Sequence, residues 1–202
     1  MDTMGFAEGY LKLPRPSRFV RVRRRSKLSM QTPGPVKLSL QRFSYRFADE
    51  VLNSKLALKK QVEEILTQES SPADLSRPGF NALLRNRFIA AGWQDQPLVF
   101  GDPSDPGAKM DFLRDRVGIE VGFGHASFLG IDLLKFQVGS YSGLDRIDVG
   151  IYVVTTIGFQ RALKAYKQNW EGSLTYEKVL RYLPHFKSAI QVPIYVLGLD
   201  IS

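Results

Sequence analysis

Apolar residues recur along the chain in two different periods, and the change between them marks out its elements. After Ser54, a residue suited to capping a helix, Leu58, Val62, Ile65 and Leu66 fall at helical spacing. Ser70, Ser71 and Pro72 supply turn chemistry and end that helix. A second helix is predicted from near Pro78, burying Phe80, Leu83, Leu84 and Phe88 and ending at Gly92. The stretch 111–124 then reads as a hairpin: an aspartate, a short basic turn, and a β-prone run presenting Glu120. Strand side chains alternate, so Glu120 and Gly122 share one face while Val121 points into the core. A helical stretch at 128–138 follows, then a strand at 147–154 expected beside the Glu120 strand in the sheet centre. Helical segments at about 157–168 and 175–183 lead to a final strand at 192–199. The pattern predicts one α/β domain, with a mixed central sheet flanked by helices, no internal repeat and no second domain.

With 202 residues, 44% of them hydrophobic, the chain is long enough for a single buried core. No run approaches the roughly 18 apolar residues of a membrane span, and the start lacks the apolar stretch of a secretory signal. The absence of cysteine excludes disulfides and thiolate metal sites and suits a cytoplasmic protein. His125 and His185 are the only histidines, too few for a multi-histidine zinc centre. A catalytic metal is therefore expected on oxygen ligands, which favours Mg²⁺ or Mn²⁺.

The net charge of +8 is unevenly spread. Residues 1–29 carry eight Lys/Arg against Asp2 and Glu8, a net +6, so the remainder supplies only +2. The cluster from Arg21 to Lys27 could lie along phosphates and release counterions. The plainer reading is a disordered basic tail, or non-native sequence from a start codon placed too far upstream. Met30 offers an alternative start, and Pro33-Gly34-Pro35 reads as a linker. Residues 1–36 are accordingly read as arm and linker, and 37–202 as the domain.

The hairpin carries the chemistry. Asp111 and Glu120 can meet at its mouth and bind a divalent cation, the logic of a metal-dependent nuclease. The plainer reading makes Asp111 a turn residue and Glu120 a surface strand residue. An Asp and a Glu nine apart are common, but the surrounding string is more specific. Asp111-Phe-Leu-Arg-Asp-Arg-Val-Gly-Ile-Glu-Val-Gly-Phe-Gly124, then Ser127-Phe128, Asp132-Leu133 and Arg146-Ile-Asp-Val-Gly150, closely resemble the BglII/BstYI-type type II restriction endonucleases of the PD-(D/E)xK superfamily. The likeness takes in 88–93, Tyr176-Glu177 and 192–197, and covers roughly residues 37–202.

That resemblance implies a restriction-endonuclease-like core. Asp111 and Glu120 match the family's metal-binding carboxylates, and the backbone carbonyl of Val121 matches a further metal contact. Gly122 departs from the pattern: the family has glutamine or glutamate there, and the superfamily usually lysine, near the attacking water. Three readings compete. Another group has taken over (Lys135 or Gln137 on the following helix, or a phosphate of the DNA), the protein binds DNA with little cleavage, or the position has decayed or been altered. Because position 122 shares the face of Glu120, it is expected to be open to water and to tolerate glutamine. His125 stands where the family places a residue reaching a base edge, with a solvent-facing helix start as the plainer reading. Ser173 and Thr175 are weaker candidates for base contact. Asp148 reads as structural rather than catalytic.

The expected function is hydrolysis of one phosphodiester per strand of double-stranded DNA. A homodimer would read a short palindrome, GATC-centred as in the relatives it resembles, with a DNA methyltransferase as functional partner. The alternatives are a non-catalytic DNA-binding protein that keeps the fold, and a repair or RNA-processing nuclease.

Overall fold

Among the described residues six strands form one sheet: β1 (Leu38–Tyr45), β2 (Gln94–Asp95), β3 (Phe112–Arg114), β4 (Val117–Val121), β5 (Val149–Thr155) and β6 (Ile194–Ile201). The computed structural model describes residues 34–101, 104–141 and 146–202, so nearly all of the basic arm lies outside the described residues. The sheet order is β1-β6-β5-β4-β3-β2. The central β4, β5 and β6 run parallel, and the outer pairs β1/β6, β3/β4 and β2/β3 are antiparallel. This is the mixed sheet flanked by helices that the patterning predicts.

Parallel strands need cover on both faces, and the sequence of β5 and β6 shows it. Val149, Ile151 and Val153 of β5, with Tyr195, Leu197 and Leu199 of β6, join one core cluster. That cluster includes Val62, Ile65 and Leu66 of α2 (Leu56–Thr67), Phe80, Leu84 and Phe88 of α3 (Arg77–Ala90), and Phe159 of α5 (Ile157–Leu163). The alternate residues Tyr152, Val154, Ile194 and Val196 join the second cluster. They pack there with Leu133 and Phe136 of α4 (Leu129–Ser140) and Val179 of α6 (Tyr176–Tyr182). Strand periodicity of two thus sorts the strands' side chains between two cores.

Several details differ from the pattern-based expectation. Ser54 does not start a helix. It ends α1 (Ala48–Asn53), and its hydroxyl donates to the Val51 carbonyl at 2.7 Å. The α1 helix and the edge strand β1 are absent from the pattern-based reading, because Gln41, Arg42 and Ser44 interrupt the apolar alternation of a strand paired on one side only. The α3 helix is capped by Ser76, whose hydroxyl accepts the Gly79 N–H, with Pro78 in its first turn. Gly92, just beyond its end, adopts φ 84°, a left-handed stop that glycine allows without strain.

An aromatic nest fixes the end of β4. Phe123 stacks on Phe80 with ring centroids 5.4 Å apart, and Trp170 meets Phe123 edge-on at 5.1 Å. The Trp170 indole N–H donates to the Leu75 carbonyl at 2.8 Å, so the ring is buried with its polar atom satisfied. The segment just after Glu120 is held on rigid elements as a result.

Candidate active site

The β3–β4 hairpin closes through two residues, Asp115 and Arg116, both at positive φ (45° and 65°). That geometry matches the right-handed twist of the strands. Arg116 is tied down by Asp148 at 2.7 Å, and Lys55 reaches the same carboxylate at 3.3 Å. The Arg116 hydrogen bond holds the Asp148 carboxyl below its ordinary range, against the effect of burial. Asp148 is thus engaged in tethering the turn.

At the open end of the hairpin, the pairing of Phe112 with Ile119 brings Asp111 beside Glu120. The Asp111 Oδ2 accepts the Val121 N–H at 2.7 Å. The Val121 carbonyl accepts from the Phe123 N–H at 2.9 Å, which leaves its second lone pair. Asp111 and Val121 line a cleft of about 620 Å³ whose opposite wall is the polar face of α3, with Asn81, Arg85 and Asn86. Arg85 forms a two-pronged pair with Asp95 at the cleft edge, 2.9 and 2.5 Å.

Glu120 is 3% exposed and faces α4. Lys135 of that helix donates to its Oε2 at 2.9 Å, and Asp132, one turn earlier, lies 3.7 Å from the same ammonium. The other oxygen, Oε1, is buried with no hydrogen-bond partner among the described residues. Glu120 and Asp132 therefore flank one ammonium, with Asp111 beside Glu120. Burial first, and the charge of Asp111 second, push the Glu120 carboxyl well above its ordinary range despite Lys135. Burial likewise raises Asp111, against the Val121 N–H, and Asp132, against its hydrogen bond from Tyr152. Burial opposes the Lys135 ammonium, but the charge and hydrogen bond of Glu120 outweigh it and its pKa rises.

Position 122 corrects the sequence-based expectation. Gly122 is buried, and a Cβ there would lie 2.8 Å from Tyr152 Cε2 and 2.9 Å from its hydroxyl oxygen. It is not open to water, and glutamine would not enter without moving Tyr152. Gln137 is corrected as well: its Oε1 accepts the backbone N–H groups of Gln191 and Val192, away from Glu120. Of the two helix candidates, only Lys135 reaches the carboxylates.

The remaining candidates gather at one loop cluster. His125 is exposed and precedes a 3-10 turn at Ala126–Phe128, with its Nδ1 2.9 Å from the Ser127 hydroxyl. A single β-bridge joins it to Ser173. Ser173 is buried and its hydroxyl accepts from Arg77 at 3.4 Å. Thr175 caps α6 by accepting the Lys178 N–H. In this conformation Ser173 and Thr175 serve the fold, and His125 is the one of the three that presents its side chain outward. Asp132 and Tyr152 are site residues that the sequence reading lacks. The signal for them is present: Asp132 stands one helical turn before Lys135, and alternation along 147–154 puts Tyr152 on the face of Gly150.

A carboxylate-bearing hairpin entering a mixed sheet between helices defines a restriction-endonuclease-like α/β protein. The model of one family, restriction endonuclease BglII/BglIII, matches residues 40–199, and the chain belongs to that family. Solved structures share the fold, among them two of BglII. The crystal structure of restriction endonuclease BglII complexed with a DNA 16-mer superposes with a TM-score of 0.60 at 20% identity, over 79% of this chain and 77% of that one. Free BglII superposes with a TM-score of 0.55 at 20% identity, over 79% and 78%. No curated protein matches the chain in sequence. Among the described residues no helix is long and apolar enough to cross a membrane.

The family generally uses divalent metals, and the residues present fit one. Among the described residues no group of three or more His, Asp or Glu is placed to hold a metal ion. The unpartnered Oε1 of Glu120, the neighbouring Asp111 carboxylate and the excess of buried negative charge all call for a cation. The pH dependence of stability tests this. Without metal, folded Glu120 releases its proton at a higher pH than in the unfolded chain, where release comes at about 4.3. Between those values the native state holds the extra proton, so this contribution to stability is lost as pH rises. Glu120→Gln removes the titration. The variant's Tm relative to wild type is expected to climb from about pH 5 to about pH 8, and Mg²⁺ to raise only the wild-type Tm. A difference that stays flat or falls with pH would contradict the charge excess.

Proposed function

We propose that this protein hydrolyses one phosphodiester per strand of double-stranded DNA at a short palindromic site, with Asp111, Glu120 and the Val121 carbonyl holding Mg²⁺ or Mn²⁺. The observation that carries the proposal is the Lys135 ammonium 2.9 Å from Glu120 Oε2, beside the unpartnered Oε1 and Asp111. A bound divalent cation would stabilise charge on the scissile phosphate. Asp111 and Glu120 supply its ligands, and the Val121 N–H fixes the orientation of Asp111. Lys135 uses one N–H on Glu120 and has others with which to orient the attacking water or meet charge developing on the phosphate oxygens. It thereby takes the role that Gly122 cannot perform. A second reading, specific binding without cleavage, draws support from Tyr152 standing where a side chain at 122 would otherwise meet the water.

DNA as the partner follows from the family and from the BglII structure solved with a DNA 16-mer. The second subunit is proposed as a copy of this chain, because a two-fold pair reads a palindrome symmetrically. The outward face of α4 offers Ile131 and Leu134, with Phe128 just before it, all exposed apolar side chains. A methyltransferase modifying the same site is the expected functional partner, and the cytoplasm the expected location.

Selection of bound duplexes from a random pool, followed by cleavage of the winners with Mg²⁺, tests the reading. A palindromic site, bound by a dimer and cut on both strands, is expected, with GATC at its centre. Monomeric protein without duplex preference would overturn it, and a selected palindrome left uncut by the dimer would favour the second reading. His125→Ala should weaken discrimination at one base pair by about 1–3 kcal/mol, as for a lost base-edge contact. An unchanged preference would remove His125 from the recognition set. A chain starting at Met30 should keep its Tm while its DNA affinity depends less steeply on salt, if residues 1–29 lie outside the domain and touch phosphates.

A further inference from the structure

We infer that Tyr152 occupies the place of the side chain missing at position 122, and that through Asp132 it positions Lys135 on Glu120. The inference rests on the reading above that Lys135 and Glu120 work together. Glu120 and Tyr152 are direct neighbours in the parallel β4/β5 register, so they share a face. The ring lies across Gly122: an added Cβ would sit 2.8, 2.9 and 3.0 Å from three of its atoms, inside any normal contact. Tyr152 is fully buried with Phe136 edge-on at 6.0 Å, so any shift of its ring would disturb the core around it. The backbone of Gly122 is not left-handed, so volume and not strain opposes a larger residue. Gly122 and Tyr152 are a matched pair.

The pair reaches the ammonium through one carboxylate. The Tyr152 hydroxyl donates to Asp132 Oδ2 at 2.7 Å, and Asp132 Oδ1 lies 3.7 Å from Lys135 Nζ. Asp132 and Lys135 are three apart on α4 and so face the sheet together. A tyrosine hydroxyl buried this deeply needs an acceptor, and meeting that need fixes the Asp132 rotamer. With Asp132 on one side and Glu120 on the other, the Lys135 ammonium is confined beside the carboxylate cluster. Tyr152 and Asp132 act through Lys135, and are positioning residues.

Two measurements on the metal-free protein test this without any need for activity. The first is a stability cycle. Gly122→Ala should lower Tm by roughly 3–10 °C, the expected scale for overpacking a chain of this size. In a Tyr152→Leu background the same substitution should cost far less. An equal loss in both backgrounds would overturn the matched pair. The second is solvent exchange of the Lys135 ammonium protons by ¹⁵N NMR. Tyr152→Phe, which keeps the ring and removes only the hydroxyl, should speed exchange roughly two- to tenfold, as for one net hydrogen bond lost. Asp132→Asn should do the same, and the double variant should be no faster than either single one. Unchanged exchange in Tyr152→Phe would overturn the positioning role and leave Tyr152 as core alone. If both measurements come out as expected while the wild type cuts no DNA, the pair stands and the nuclease reading of Lys135 falls.

Discussion

Asp111→Asn should abolish metal-dependent cleavage while leaving the protein folded. Asparagine keeps an acceptor for the Val121 N–H, which alanine would leave unpaired at a cost of about 1–3 kcal/mol. What is lost is a charge, and with it one of two carboxylates available to a cation. The expected fall in single-turnover rate is more than about 10⁴-fold, beyond the roughly 10²–10⁴ of a lost acid–base group. Removing that charge also relieves Glu120, whose carboxyl Asp111 helps to push upward. The metal-free variant should therefore match or exceed the wild-type Tm at about pH 8, where Glu120 is under most strain to ionise. A variant that cuts at the wild-type rate would remove Asp111 from the metal site. One that melts far below the wild type would show that its role lies in the hairpin.

Lys135→Met should slow cleavage by about 10²–10⁴-fold with little change in DNA affinity. The substitution keeps much of the side-chain volume but deletes the only cation hydrogen-bonded to Glu120 among the described residues. Breaking a buried pair this way costs about 3–5 kcal/mol when the partner stays charged. Here Glu120 can take up a proton instead, so the loss of stability should be smaller in acid and grow as pH rises. Single-turnover rates and thermal melts at two pH values give both results. A wild type that cuts fast and is indifferent to this change would place the water-orienting group elsewhere, on the DNA or on another side chain.

Much of this site is legible in the sequence, for identifiable reasons. Alternation puts Glu120 on one face, and a hairpin with a short basic turn brings Asp111 to its mouth; that the turn is two residues, which sets the register, is seen only in the fold. The pairing of β4 with β5 follows from two apolar runs that only a sheet centre can bury. Gly122 is not legible in the same way, because alternation tells which face a residue takes and not what covers that face. The glycines themselves hold the clue. Gly118 and Gly122 flank Glu120 on its own face, with Gly150 on the neighbouring strand, and an added Cβ at these positions would run into Met110, Tyr152 and Phe136. A strand face with glycine at such intervals is one that large side chains press against. The edge strand β1 escapes notice for the opposite reason, since exposed Gln41 and Arg42 face solvent and break its pattern. Ser173 and Thr175 have the right chemistry for base contact, yet a hydroxyl serves a helix cap or an arginine equally well, and only the fold distinguishes these uses.

The Asp111–Glu120–Lys135 centre is proposed to cut duplex DNA at a defined site. The most direct test incubates random-sequence duplex DNA with the wild type and with Asp111→Asn in Mg²⁺ or Mn²⁺, and sequences every new end. Wild-type ends are expected at one palindrome, cut symmetrically on both strands, with none from the variant. No new ends from a wild type that binds the DNA, or identical ends from both proteins, would contradict it.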